Sequence, residues 1–164
     1  RRVLFRSMTC LGLGEVDADG NNNVSYLGKM VTGPGGFINI TQTTPKVVFC
    51  GTFMNKAVLK VGDGKLEIVQ EGNRRKFVEH VKQITFSGKE AVRNGQKVRY
   101  ISERCVMELT PEGLMITEIA PGADLQKDIL NKMEFTPLIS ENLREMDRRL
   151  FCPEKMNLEL REKQ

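Results

Sequence analysis

The sequence has no tryptophan, a single histidine (His80) and no Cys-x-x-Cys pair. With one imidazole and no paired thiolates, a zinc centre of four nitrogen and sulfur ligands is excluded. Its four cysteines, Cys10, Cys50, Cys105 and Cys152, are widely spaced among apolar residues. They read as reduced, buried thiols of a cytoplasmic protein. No apolar run approaches the roughly 20 residues needed to span a bilayer. Aromatic residues are only 6% of the chain, and the excess of positive charge is small: 25 Lys and Arg against 21 Asp and Glu. Three of those cations, Arg1, Arg2 and Arg6, lie in the first seven residues, which hold no acid; the rest balance at 22 against 21. A nucleic-acid surface needs a basic stripe and aromatic platforms, and the chain offers neither.

What is present suits one soluble domain. The 164 residues, 40% hydrophobic and 28% charged, are enough to enclose a core. Residues 1–7, "RRVLFRS", are basic, but no apolar stretch or cleavage signal follows. They read as a non-native junction, with the protein proper starting near Met8.

Periodicity then marks the elements. "MTCLGLGEVDADGNNNVS" predicts a hairpin turning at Asp19-Gly20. "KVVFCGTF" reads as a buried strand, and "KAVLKVGDGKLEIVQEG" as a second hairpin around Gly62-Asp63-Gly64. "FVEHVKQITF" alternates like a strand. Two further strands are expected at Val98 to Leu109 and Leu114 to Ile119, turned at Pro111-Glu112-Gly113. Beyond them Asp124 can cap a helix whose Leu125, Ile129, Leu130 and Met133 share a face. Ser140 is read as the cap of a last helix with Leu143, Met146 and Leu150 inward. Strands interleaved with helices give an α/β class.

One stretch stands apart: "GKMVTGPGGFINITQ", with Gly33, Gly35 and Gly36 around Pro34. It is not a Walker A loop, because Gly28-Lys29 is followed by Met30 and the magnesium-binding hydroxyl is missing. Nor is it a dinucleotide fingerprint, because Ile38 stands where the third glycine belongs. No serine sits in a G-x-S-x-G elbow. Two readings remain for the loop. It is a tight turn before a helix, or a bare backbone whose N–H groups form an oxyanion hole.

Five segments in order resemble the family I CoA-transferases: "GLGEVDADGNNNVS", "GKMVTGPGGFINITQ", "KVVFCGTF", "YISERCVMELTPEGLMITEIAPGADLQKDIL" and "FTPLISENLREMDRRLF". The likeness is to their acetate/propionate branch and, more distantly, to the succinyl-CoA:3-ketoacid enzyme. It runs from Met8 to Phe151. It implies a CoA-transferase-like mixed sheet with flanking helices, the incomplete C-terminal part of the β-subunit-like half. The implied domains are a junction at 1–7, the CoA-transferase part at 8–151 and a polar tail at 152–164.

The resemblance also implies a chemistry. A glutamate of the enzyme attacks an acyl-CoA thioester, forming an acyl-glutamyl anhydride and then a glutamyl-CoA thioester, from which a second carboxylic acid takes the CoA. Coenzyme A is then a substrate; no permanently bound cofactor and no metal is implied. The family's oxyanion donor falls on the Gly36 N–H, with Gly33 and Gly35 completing the substrate-binding loop. Glu103 in "ISERC" matches a glutamate that orients the catalytic groups. Glu118 ranks lower, and Lys29 reads as a solvated loop lysine.

The nucleophile's E-x-G motif has no match: Glu15 and Glu112 stand in the wrong places. The implied partners are an acyl-CoA, a small carboxylic acid and an N-terminal half carrying that glutamate, in an enzyme expected to be a homo-oligomer. The chain alone is then expected to be inactive, with an open strand edge near Met8 favouring self-association. An acyl-CoA hydrolase of the same fold and a non-catalytic α/β module are the competing readings.

Overall fold

The computed structural model describes residues 7–158. Residues 1–6 of the supposed junction and 159–164 of the polar tail lie outside the described residues.

Six strands form one sheet whose spatial order follows the chain: β1 (Thr9–Gly12), β2 (Lys46–Cys50), β3 (Lys97–Ile101), β4 (Cys105–Thr110), β5 (Gly113–Ile119) and β6 (Leu138–Glu145). β1, β2 and β3 are mutually parallel, β4 reverses, and β5 and β6 return to the first direction. With the short helices α1 (Phe37–Thr41) and α2 (Gly88–Arg93), this mixed sheet is the α/β architecture read from the sequence.

Strand alternation decides which face is core. In β2, β3 and β4 the residues Val47, Phe49, Val98, Tyr100 and Met107 point the same way, and all are buried. Phe49 sits at the centre, stacked on Phe37 of α1 at 5.6 Å, edge-on to Phe86 at 4.9 Å and tilted against Tyr100 at 5.3 Å. Each such aromatic pair adds about 0.5–1.5 kcal/mol to the burial itself. The opposite face carries a row across four strands: Cys10, Val48, Arg99 and Glu108. A second cluster of Leu66, Val106, Ala120, Met146 and Phe151 covers one end of that face.

The hairpin at Gly62-Asp63-Gly64 forms as expected, with strands Val58–Gly62 and Lys65–Gln70. Asp63 and Gly64 both take positive φ, 52° and 72°, as a two-residue primed turn demands.

Other expectations need correction. The hairpin at Asp19-Gly20 shrinks to Glu15–Val16 paired with Asn22–Asn23. The apolar run before it leaves the hairpin as β1 and pairs with β2, because parallel pairing there adds to the large core. "FVEHVKQITF" is not a strand: only Phe77 and Phe86 make isolated bridges, and both are buried as anchors of a loop. The strand expected over Val98 to Leu109 is two strands, broken at Ser102. The Ser102 hydroxyl accepts the N–H groups of Arg104 and Cys105 at 3.2 and 3.1 Å, which closes a tight reverse turn.

Asp124 does cap a helical turn, accepting the Lys127 N–H at 2.6 Å, but Leu125–Ile129 winds as a π turn. The helix expected after Ser140 is absent. That segment is the strand β6, followed by a 3₁₀ turn at Arg148–Phe151 that Asp147 caps. Leu143 and Met146 do pack inward, whereas Leu150 is exposed. The cysteines are also not uniformly buried. Cys105 is, but Cys10 and Cys50 are exposed because alternation turns them to the face opposite the core.

Candidate functional site

Three parallel strands end side by side, and the loops that leave them build the site. Leu13 N–H donates to the Cys50 carbonyl at 2.9 Å, and Gly51 N–H donates to the Ile101 carbonyl at 3.1 Å. These bonds tie the ends of β1, β2 and β3 together. In open α/β sheets, ligands collect beyond the carboxyl ends of such strands.

Glu103 sits in the turn after β3, not within a strand. Its Oε2 accepts the Phe53 N–H from the loop after β2 at 2.8 Å. Its Oε1 lies 3.4 Å from Nε of Arg104. Arg104 is wholly buried, an outcome that composition did not foretell. Its guanidinium forks onto both carboxylate oxygens of Glu71, at 2.5 and 3.1 Å, and donates to the Asp128 carbonyl at 2.8 Å. It also lies over the Phe53 ring, 5.2 Å from the centroid. The bonds from Arg104 hold the Glu71 carboxyl down at about 2, below its ordinary 4.5.

Lys76 completes the strand-end cluster. Its Nζ donates to Thr52 Oγ1 at 3.1 Å and to the Leu13 carbonyl at 3.5 Å. Burial pushes this ammonium below its usual value, and the nearby Glu103 carboxylate pulls it part of the way back. Lys76 lines a cleft of about 230 Å³ with Leu13, Gly14, Glu15, Asn55 and Arg74.

The glycine loop lies in the β1-to-β2 crossover. Ser25 carbonyl accepts the N–H groups of Thr32 and Gly33 at 2.9 and 3.2 Å, which holds its near end. Gly33 and Gly35 take positive φ, 74° and 50°, so their lack of a side chain follows from local geometry. Gly36 does not fit that explanation. It caps α1 at φ −83°, and a Cβ built there would meet only Ile40 Cδ1 at 3.7 Å. Neither backbone conformation nor crowding within the chain asks for glycine at that position. The loop is a turn before a short helix, and its last glycine is exposed. No hydrogen bond joins this loop to Glu103 among the described residues. The link between them is the aromatic core, through Phe37, Phe49 and the strand that leads to Phe53.

The remaining candidates fall away from this cluster. Glu118 is paired in register with Arg144, at 2.6 Å, across β5 and β6. Lys29 is exposed at a turn, and Glu112 is an exposed turn residue. Glu15 is buried, bound to Arg74 and to Asn23 Nδ2 at 3.0 Å. A cysteine nucleophile has no support. His80 is exposed, and burial drives the Cys105 thiol up to about 12. Arg104, Glu71 and Lys76 were not singled out from the sequence. The one available signal was Arg104, a charge beside Glu103 at the head of the apolar run Cys105-Val106-Met107.

Sequence relatives fit this arrangement. The chain is 54% identical over 146 residues to the caffeate CoA-transferase of Acetobacterium woodii, covering 86% of this chain and 28% of that protein. It is 50% identical over 153 residues to the acetate CoA-transferase YdiF of Escherichia coli O157:H7, covering 93% of this chain and 29% of that protein. Over the residues it matches, the chain is similar to these CoA-transferases. The solved structure of the acyl-CoA transferase YdiF from E. coli O157:H7, a thioester complex with CoA, superposes with a TM-score of 0.93 at 48% identity. That match covers 96% of this chain and 31% of the other. No family model matches. The chain spans under a third of the length of the relatives it matches. Among the described residues, no helix is long and apolar enough to cross a membrane.

Proposed function

We propose that these residues form part of an acyl-CoA:carboxylate CoA-transferase acting on short-chain acids of the acetate and propionate type. The Gly36 N–H acts as a donor to the thioester oxygen as charge develops on it. Gly33 and Gly35 shape the approach, and Glu103 holds the neighbouring loop in place. The attacking glutamate belongs to residues outside these 164. Its carboxylate adds to the thioester carbonyl and CoA thiolate leaves, giving an acyl-glutamyl anhydride. The thiolate then attacks the glutamyl carbonyl, releasing the free acid and leaving glutamyl-CoA. A second carboxylate repeats the two steps in reverse.

The observation that carries this reading is Gly36, a glycine in an open loop with no local need to be one. An oriented N–H in such a place is worth most where charge appears only in the transition state. Close sequence relatives named as CoA-transferases supply the reaction class.

The test is acyl exchange from acetyl-CoA to propionate. The chain alone should form no propionyl-CoA, and an enzyme completed with the remaining portion of a YdiF-like relative should form it. Turnover by the chain alone would place the nucleophile within these residues. Release of free CoA without propionyl-CoA in the completed enzyme would make the reaction hydrolysis.

A further inference from the structure

Lys76 has a charge that the fold leaves unmatched. In the cleft it lines, the other ionised groups are Glu15 and Arg74, and these two pair with each other. Glu103 influences Lys76 through space, yet its oxygens are engaged by Phe53 N–H and by Arg104. Among the described residues, no carboxylate forms an ion pair with Lys76, whose two acceptors are both uncharged. An ammonium has three N–H donors, so one remains for the cleft.

The surroundings keep that donor in place. Gly51 lies against it: a Cβ there would stand 3.5 Å from Lys76 Nζ and only 3.0 Å from Leu13 Cβ. Thr52 Oγ1 and the Leu13 carbonyl fix the ammonium at the ends of β1 and β2. A half-buried cation with a free donor and no ion-paired carboxylate favours an anion over water, since burial strengthens the pairing. The size and walls of the cleft narrow the choice. At about 230 Å³ it is smaller than the usual pocket for a drug-sized ligand, and Leu13 and Leu27 offer apolar contact. Glu15 and Arg74 on the cleft wall cancel one another, which leaves the one positive charge of Lys76 and matches a singly charged anion.

We infer that Lys76 is the anchor of a binding site for a small monocarboxylate, the ion pair running from Nζ to one carboxylate oxygen with a short apolar tail against Leu13 and Leu27. This deepens the proposed function, on which the choice of a carboxylic acid rests, by naming a residue that would receive the acid.

The test is binding, read on this chain by NMR with lysine labelled at the side-chain nitrogen and carbon. Acetate should shift one lysine signal saturably. The neutral isostere acetamide should leave it unmoved, as should chloride at equal ionic strength and phosphate. Lys76→Met should remove the signal and weaken acetate binding by about tenfold or more, the usual weight of a hydrogen bond to a charged group. A second measurement needs no variant: contacts from labelled acetate methyl to Leu13 and Leu27 methyl groups in the unaltered protein.

Equal shifts with chloride, no saturable shift, or methyl contacts elsewhere would overturn the assignment. The outcome is separable from the CoA-transfer reading. Acetate held at Lys76 with no exchange in the completed enzyme would keep the site and remove that reaction. Exchange with no acetate response at Lys76 would do the reverse.

Discussion

The Glu103 carboxylate accepts the backbone N–H of Phe53 at 2.8 Å, joining two loops that lie 50 residues apart in the chain. Phe53 is fully buried, so this N–H has no water to fall back on. Glu103→Ala should therefore cost about 1–3 kcal/mol in urea unfolding, the usual penalty for orphaning a buried donor. Glu103→Gln keeps an acceptor and should lose less. Both variants should lower the Lys76 titration midpoint further, because the carboxylate that raises it is gone. An unchanged Lys76 midpoint would show that the two groups do not sense each other.

The Arg104–Glu71 pair is asymmetric: the guanidinium is wholly buried, whereas 30% of the Glu71 side chain is exposed. Removing the carboxylate strands a buried cation, and removing the cation leaves an anion that can reach water. Glu71→Ala should thus cost about 3 kcal/mol or more, and Arg104→Met less, in equilibrium unfolding. The reverse order would mean that packing of Arg104 against Phe53 matters more than charge.

The same pair sets an acid limb of stability. The Glu71 carboxyl is lowered to about 2 in the folded protein from an ordinary 4.5. Its contribution is therefore complete above about pH 4.5 and is lost as pH falls towards 2. Unfolding midpoints measured across that window should decline, and the decline should flatten in Glu71→Gln.

Thiol labelling should sort the cysteines by face. Cys10 and Cys50 are exposed, and burial together with the neighbouring Cys10 raises the Cys50 thiol. At mildly alkaline pH Cys10 should react before Cys50, since the thiolate is the reactive form. Cys105 should react only when the chain unfolds. Early labelling of Cys105 would contradict its place in the core.

What could be read from the sequence was mostly local. The turn at Asp63-Gly64 and the Asp124 cap are written within a few residues, and both appear. The misread segments depend on distant partners. Ser140, Leu143 and Met146 have helical spacing, yet the segment pairs with β5 as an edge strand, where tertiary pairing outweighs period. The break at Ser102 is likewise stabilised from afar, because Arg104 is drawn inward by a carboxylate 33 residues away. At the site, the glycine loop was visible as composition. Lys76 was not, because burial of one lysine in the run Arg74-Arg75-Lys76 is set by Leu13 and Thr52, which lie in the loops just past β1 and β2.

Gly36 offers the sharpest separation of folding from function. Alanine at Gly33 or Gly35 would place a Cβ at positive φ and should cost about 1–2 kcal/mol. Alanine at Gly36 meets φ −83° and ordinary contact with Ile40, so Gly36→Ala should leave stability unchanged or raise it by about 0.4–1 kcal/mol, through a less flexible unfolded chain. In the completed enzyme the same methyl group would stand beside the N–H that is proposed to meet the thioester oxygen. Acyl exchange should then fall by about 100-fold or more, the scale of losing one oxyanion donor. Urea unfolding and exchange rates on the same variant give the answer. Full stability with lost exchange places the glycine in the reaction, whereas full stability with full exchange would leave Gly36 without a chemical role.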